Sequence, residues 1–367
     1  MIDASAQRSG GNPLIRFYAV LLIGACLAHT ASGADDKSIA SVETYGLHRV
    51  DRKKVLDVAN LSEGDRPPRS VQWRAIAGRV ERIPGVKRAA IVVVTVPFDS
   101  DKGATVGRPI VYIGIQESDQ PDMKFRAAPT GKVTLPKDVV KLYAEHERTF
   151  LDSVRHNDFS EDDSNGYALI GNAAARAVQR KFPAVADQQY DRLLDVLQNS
   201  KYAEQRAMAA TIIGYASKKK RAVSDLIAAT QDANDLVRND AVRALSVLVN
   251  YSRAHPELGI DVPTDWCLDL LASLTWTDRN KAMAVLDAAT ADRDPALLSK
   301  LRQRSLPALV EMARWKSPHG LMAFLLVGRI AGLTDEEITK AWKGSERDKV
   351  FENALGTASG KSSDSRQ

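Results

Sequence analysis

The stretch Asp232-Ala-Asn-Asp-Leu-Val-Arg238-Asn-Asp-Ala241-Val-Arg243-Ala-Leu245 decides the fold. A turn-prone Asp-Ala-Asn-Asp run opens it, and Val237, Ala241, Leu245 and Leu248 then fall on one helical face. The same pattern recurs. With Arg206, Arg238, Arg279 and Gly320 in register, Ala209, Ala241, Ala282 and Ala323 stand three residues later, and Ile213, Leu245, Leu286 and Val327 seven later. The copies are offset by 32, 41 and 41 residues. Self-similarity of that length marks stacked helical hairpins, which bury a continuous core only by packing on their neighbours.

Each copy carries a first helix as well, marked by Leu193/Leu194, Leu226/Ile227, Leu270/Leu271 and Leu309/Val310. Asp232 suits the turn between helices, and Arg238 is placed to reach back toward such carboxylates between copies. On these residues the segment 190–343 resembles HEAT repeats, including the HEAT-like repeats of phycobilisome-lyase type, and the resemblance implies an all-α solenoid that binds proteins along one face. Arg206, Arg238 and Arg243 are the expected partner-binding residues, taken as exposed positions alternating with the apolar face of the second helices.

Residues 38–117 follow a different pattern. Ser41–Leu47 is β-prone, and Asp51 N-caps a helix with Val55, Leu56 and Ala59 on one face. A second helix is expected over Val71–Arg82, with Val71, Ala75, Gly78, Val80 and Ile83 on its buried side, stopped by Pro84-Gly85. The β-branched runs Ala89–Val96 and Pro109–Ile115 read as strands. The order is strand, helix, helix, strand, strand. With Tyr45-Gly46-Leu47, Gly64-Asp65, Ile83-Pro84-Gly85-Val86 and Gly114-Ile115-Gln116-Glu117, it resembles a POTRA domain. That resemblance implies an envelope module that binds polypeptides by adding them to a sheet edge. The expected fold is thus a small α+β domain followed by an all-α array. Residues 118–137 read as a linker, 138–189 as a helical lead-in, and 344–367 as a weak helix fading into a disordered tail.

At the N-terminus, Arg8 and Arg16 precede the apolar run Phe17–Ala28, with small residues at Ala31-Ser32-Gly33-Ala34. Twelve apolar residues make a helix of about 18 Å, shorter than a bilayer core of roughly 30 Å. Residues 1–34 therefore read as a cleaved export leader, with lipid attachment at Cys26 as the alternative. The expected location is the periplasm or cell envelope, with a lipid anchor as the one membrane attachment. A cleaved leader leaves Cys267 as the remaining thiol, read as buried and inert.

Lysine and arginine total 51 against 46 aspartates and glutamates, a surplus too dilute for a nucleic-acid partner. The run Lys218-Lys219-Lys220-Arg221 reads as a solvated turn. His146-Glu147-Arg-Thr-Phe150 begins like a helical zinc motif, but Phe150 stands where the second histidine is needed. The acidic stretch Asp158–Gly166 echoes an EF-hand loop, yet its twelfth position, Asn172, lacks the bidentate carboxylate. Gly356–Ser362 is one residue short of a phosphate loop. No metal, cofactor or catalytic residue is assigned. The expectation is a non-enzymatic adaptor whose two linked domains bind protein partners of the envelope. The alternatives are a lyase or hydrolase using the His146–Asp163 region, and a structural spacer. Enzyme and adaptor separate on whether His146, Glu147 and Asp162 converge in a cleft.

Overall fold

The computed structural model describes residues 38–95, 107–156 and 158–359, with side chains up to residue 356. The stretch read as a leader, including Cys26, and the residues beyond 359 read as a tail lie outside them. The N-terminal part runs β1 (Ser41–Tyr45), α1 (Arg52–Ala59), a 3₁₀ turn at Ser70–Gln72, α2 (Trp73–Val80), β2 (Val86–Thr95) and β3 (Pro109–Glu117). Asp51 caps α1 by accepting from Lys53 N and Lys54 N. The sheet order is β1-β3-β2, with β3 parallel to β1 and antiparallel to β2.

Every residue of the central strand β3 is buried, because the sheet is covered on both faces. Side chains alternate across a strand. Val111, Ile113 and Ile115 pack with Val55, Ala59, Ile76 and Val80 of the two helices. Ile110 and Tyr112, joined by Tyr45 of β1, belong instead to the core of the helical part. The expected phase of α2 needs correction: Ile76, Val80 and Ile83 are buried, while Val71 is 81% exposed. The helix proper starts only at Trp73, so its inward face is set by the 76, 80, 83 spacing, and Val71 sits in the 3₁₀ turn before it.

After β3 come α3 (Lys137–Arg155), a short hairpin of β4 (Glu161–Asp162) and β5 (Leu169–Ile170), α4 (Ala173–Gln179) and α5 (Phe182–Gln188). The helical array then runs α6 (Tyr190–Asn199), α7 (Ala203–Ile213), α8 (Lys219–Ala229), α9 (Asp235–Ala254), α10 (Asp265–Leu270), α11 (Trp276–Ala289), α12 (Pro295–Ala313), α13 (Gly320–Ile330), α14 (Asp335–Lys343) and α15 (Arg347–Ser359). Helices α7, α9, α11 and α13 pack on one another in chain order, and α6, α8, α10 and α12 each pair with the helix that follows. The recurring alanines Ala209, Ala241, Ala282 and Ala323 and the aliphatics Ile213, Leu245, Leu286 and Val327 are all fully buried. Small residues there let successive helices come close. Past Lys343 the chain is firmer than expected, since α15 buries Val350, Phe351 and Ala354 in the core.

The segment read as a linker is laid against the array. Arg126 N donates to Gln231 O at 2.6 Å, Lys201 N to Gly131 O at 2.7 Å, and Leu135 N to Gln205 Oε1 at 2.7 Å. Phe125 lies under the Arg238 guanidinium, 3.8 Å from ring centre to Cζ.

The sheet domain is docked on the array. Tyr45 Oη donates to Leu274 O at 2.8 Å and Trp315 Nε1 to Thr44 O at 2.8 Å. Glu43 accepts from Lys316 N and Ser317 N, and Glu311 accepts from Gly46 N and Leu47 N. Tyr112 Oη lies 2.7 Å from Ser317 Oγ and 2.6 Å from His319 Nδ1. No described helix is long and apolar enough to cross a membrane.

Candidate functional site

The arginines expected on an exposed groove are structural. Arg206 and Arg238 are each 2% exposed. Arg206 donates to Asp232 through Nε (2.9 Å) and Nη2 (2.7 Å), and Arg238 meets Asp278 the same way at 2.9 and 2.7 Å. Both are bidentate pairs: the first ties α7 to the turn between α8 and α9, and the second ties α9 to α11. Each arginine also donates to the carbonyl six residues before it: Arg206 to Ser200 O, Arg238 to Asp232 O and Arg279 to Ser273 O. At those same positions Ser200, Asp232 and Ser273 accept the N–H two residues on. The repeated arginine is thus the clasp of the interhelical turn, and burying it requires a carboxylate or carbonyl to hold the charge. Exposure on a groove is ruled out for these two by that burial.

Arg243, the third expected partner-binding residue, is half-buried and paired with Glu161 of β4. It opens onto a cavity of about 340 Å³ walled by α3, the β4–β5 hairpin, α7 and α9. Helix α3 supplies Tyr143, His146, Glu147, Phe150 and Leu151, one face at helical spacing. Helix α9 supplies Asp240, Arg243, Ala244 and Val247 with the same period. Thr211 and Tyr215 come from α7 and the residues after it. A side-chain carbon at Gly214 would come within 2.7 Å of Ala244 Cβ, so glycine lets α7 end against α9.

The walls are largely aromatic and aliphatic with a few polar groups placed among them, the usual makeup of a ligand pocket. His146 packs edge-on against Phe182 at 5.2 Å and against Tyr143 at 5.9 Å, and its Nδ1 is buried without a hydrogen-bond partner. Burial, with the Arg243 charge added, pushes its pKa down to about 4, so the ring is neutral at physiological pH. Asp240 accepts from Thr211 Oγ1 at 3.2 Å and from Asn239 Nδ2 at 2.9 Å. Burial raises its pKa to about 6 against those hydrogen bonds and the Lys281 charge, and the Glu147 charge adds to the rise. Glu147, exposed at the rim, is also raised by partial burial. Tyr215 Oη is tied to Ala168 O at 2.8 Å.

Of the three residues on which the enzyme alternative turned, His146 and Glu147 line the cavity and Asp162 is not among the lining residues. The Asp162 carboxylate accepts from Ser164 and pairs with Arg176, while its neighbour Glu161 takes the place on the wall. The rest of the acidic loop also points to separate partners, Asp158 to Asn172 and Asp163 to Asn250. Among the described residues no group of three or more His, Cys, Asp and Glu is arranged to hold a metal. Phe150 joins His146 in the cavity wall. Cys267 is fully buried and its thiol is pushed well up by that burial.

In the basic run, Lys219 departs from a solvated turn: Nζ donates to Gly166 O at 2.8 Å above the Tyr167 ring, and burial lowers its pKa to about 8. The sequence singled out the α3 side of the cavity. Asp240 lies inside the deciding stretch, where the one signal it carries is a carboxylate next to Ala241 of the apolar face. Thr211 and Tyr215 carried no signal. No protein-family model matches the chain, and no curated protein matches its sequence.

Proposed function

We propose that this chain is a non-catalytic binding protein of a bacterial cell envelope, a POTRA-like sheet domain docked on a HEAT-like helical solenoid, whose principal site is the cavity beside the array. The cavity is the observation that carries the role: it has the volume of a small-ligand site and gathers His146, Glu147, Glu161, Asp240 and Arg243 among aromatic walls. The HEAT-like assignment is supported by the arginine clasp repeated three times at one spacing. The β1-β3-β2 sheet with two helices on one face supports the POTRA-like one. Export rests on the leader pattern of residues 1–34.

Within this proposal a partner strand would add at β2. The outer carbonyls of β1 are engaged, Val42 O by Arg52 and Thr44 O by Trp315, whereas Ile91, Val92 and Val93 of β2 are half-buried.

The experiment is a thermal-melt screen of a small-molecule library on the wild-type protein and on Leu151→Trp, which places bulk in the cavity from α3. Compounds that raise the melting temperature of the wild type alone support a cavity ligand. A library that stabilises both equally, or neither, contradicts it. The lyase or hydrolase alternative is favoured by one observation, the convergence of His146 and Glu147 on this cavity. It would be supported by conversion of a stabilising compound into product, lost in His146→Gln.

A further inference from the structure

The cavity walls have an uneven charge balance, and that imbalance names a ligand class; the inference rests on the cavity being a ligand site. Three carboxylates face it: Glu147 from α3, Glu161 from β4 and Asp240 from α9. One guanidinium, Arg243, faces them, and it is paired with Glu161. Lys281 lies near enough to Asp240 to lower its pKa, and His146 is neutral. Counting Arg243 of the lining and Lys281 behind it, the three ionised carboxylates still leave one negative charge in excess. The excess sits at Glu147 and Asp240, whose charges repel each other. Two carboxylates sharing a partly desolvated space are stabilised by a cation placed between them. The remaining wall is apolar and aromatic, with Phe150, Tyr167 and Tyr215 beside Leu151 and Val247. Aromatic rings beside carboxylates suit an ammonium group carried on an apolar body.

We propose that the cavity takes an organic ammonium ligand, an apolar or aromatic body bearing one protonated amine, with the amine directed between Glu147 and Asp240. The ion pair Arg243–Glu161 closes the hairpin side and turns away carboxylate ligands, because Arg243 already has its counter-charge. A neutral ligand would leave the Glu147/Asp240 repulsion in place.

The test is calorimetric titration at pH 7.5 with three probes that share a phenylethyl body and differ in the head group: 2-phenylethylamine, 2-phenylethanol and 3-phenylpropanoate. The amine is expected to bind at least tenfold tighter than the alcohol, with the carboxylate weakest. In Asp240→Asn the amine should fall at least tenfold, toward the affinity of the alcohol, and Glu147→Gln at the rim should give a smaller loss in the same direction. The melting temperature of each variant is recorded alongside, so loss of fold is not read as loss of binding. If the alcohol or the carboxylate binds as tightly as the amine, and Leu151→Trp abolishes that binding, the ammonium assignment is overturned while the ligand site stands. If none of the three gives heat, or if amine affinity is unchanged in a folded Asp240→Asn, the assignment is likewise overturned.

Discussion

Arg238 of α9 and Asp278 of α11 meet through two parallel hydrogen bonds of 2.9 and 2.7 Å, both side chains almost fully removed from solvent. Asp278 is held further by Ser273 Oγ at 2.7 Å, a third hydrogen bond on the same carboxylate. Burial raises the Asp278 pKa while Arg238 pulls it down, and the two opposing effects make the pair sensitive to loss of either partner. Asp278→Ala leaves a buried guanidinium with one backbone carbonyl pair and no counter-charge, a loss expected to cost about 3–5 kcal/mol. Urea denaturation would check it. Replacing both residues by apolar ones of similar size should recover most of that loss, whereas an additive double mutant would mean the two side chains act independently.

Asp240→Asn should change stability in a pH-dependent way. In the unfolded chain this carboxyl titrates at its ordinary value near 3.8, and in the folded protein at about 6. The folded state therefore prefers it protonated, and stability is lost as pH rises from about 4 through 6. Its folded surroundings, Thr211, Asn239, Lys281 and Glu147, remain in the variant. Melting curves should show Asp240→Asn more stable than wild type at pH 7.5, by roughly 3 kcal/mol at most, and indistinguishable from it near pH 3.5. An equal difference at both pH values would contradict the assignment.

His146 acts with the opposite sign. Its folded pKa is lowered to about 4 from an ordinary 6.5, so the unfolded chain takes up the proton first and the native state loses stability as pH falls between those values. His146→Gln should flatten the stability profile between pH 6.5 and 4.5. A profile as steep as that of the wild type would place the acid sensitivity elsewhere.

The sheet domain should not behave as an independent module. A fragment of residues 38–117 would bare Tyr45, Ile110 and Tyr112, which are buried against Trp276, Trp315 and His319. Size-exclusion chromatography of that fragment is expected to show association or aggregation. In the full chain, Trp315→Ala removes a buried indole and its bond to Thr44 O, a change of about 3–5 kcal/mol by urea denaturation. A monodisperse, cooperatively folding fragment would show that docking is incidental to its stability.

The repeat was legible because it is local: alanines, aliphatics and arginines recur at fixed offsets within single helices. What those arginines do was half legible. Arg238 was expected to reach back toward carboxylates between copies, and it reaches the Asp232 carbonyl. Its main partner, Asp278, is 40 residues ahead, and pairing across helices does not show in one helix's periodicity. The exposed-groove expectation for Arg206 and Arg238 failed for that reason, since a charged residue beside an apolar face reads as solvated until its counter-charge is known. The cavity divides in the same way. His146, Glu147 and Phe150 share one face of α3 and stand together in the sequence, while Tyr143 on the same face, and Asp240, Thr211 and Tyr215 opposite, join them only because the β4–β5 hairpin and α7–α9 close around them. The docked sheet was hidden too, because β3 alternates between two cores and each set of residues alone looks like an ordinary strand face.

The space between α3 and α9 is the proposed ligand site. The most direct measurement is a crystal structure of the wild-type protein with the tightest-binding compound from the melt screen. The compound is expected between His146 and Asp240, with a polar group within hydrogen-bond distance of Asp240 or Glu147. A bound compound lying elsewhere on the array or the sheet, with the cavity holding only solvent, would contradict it.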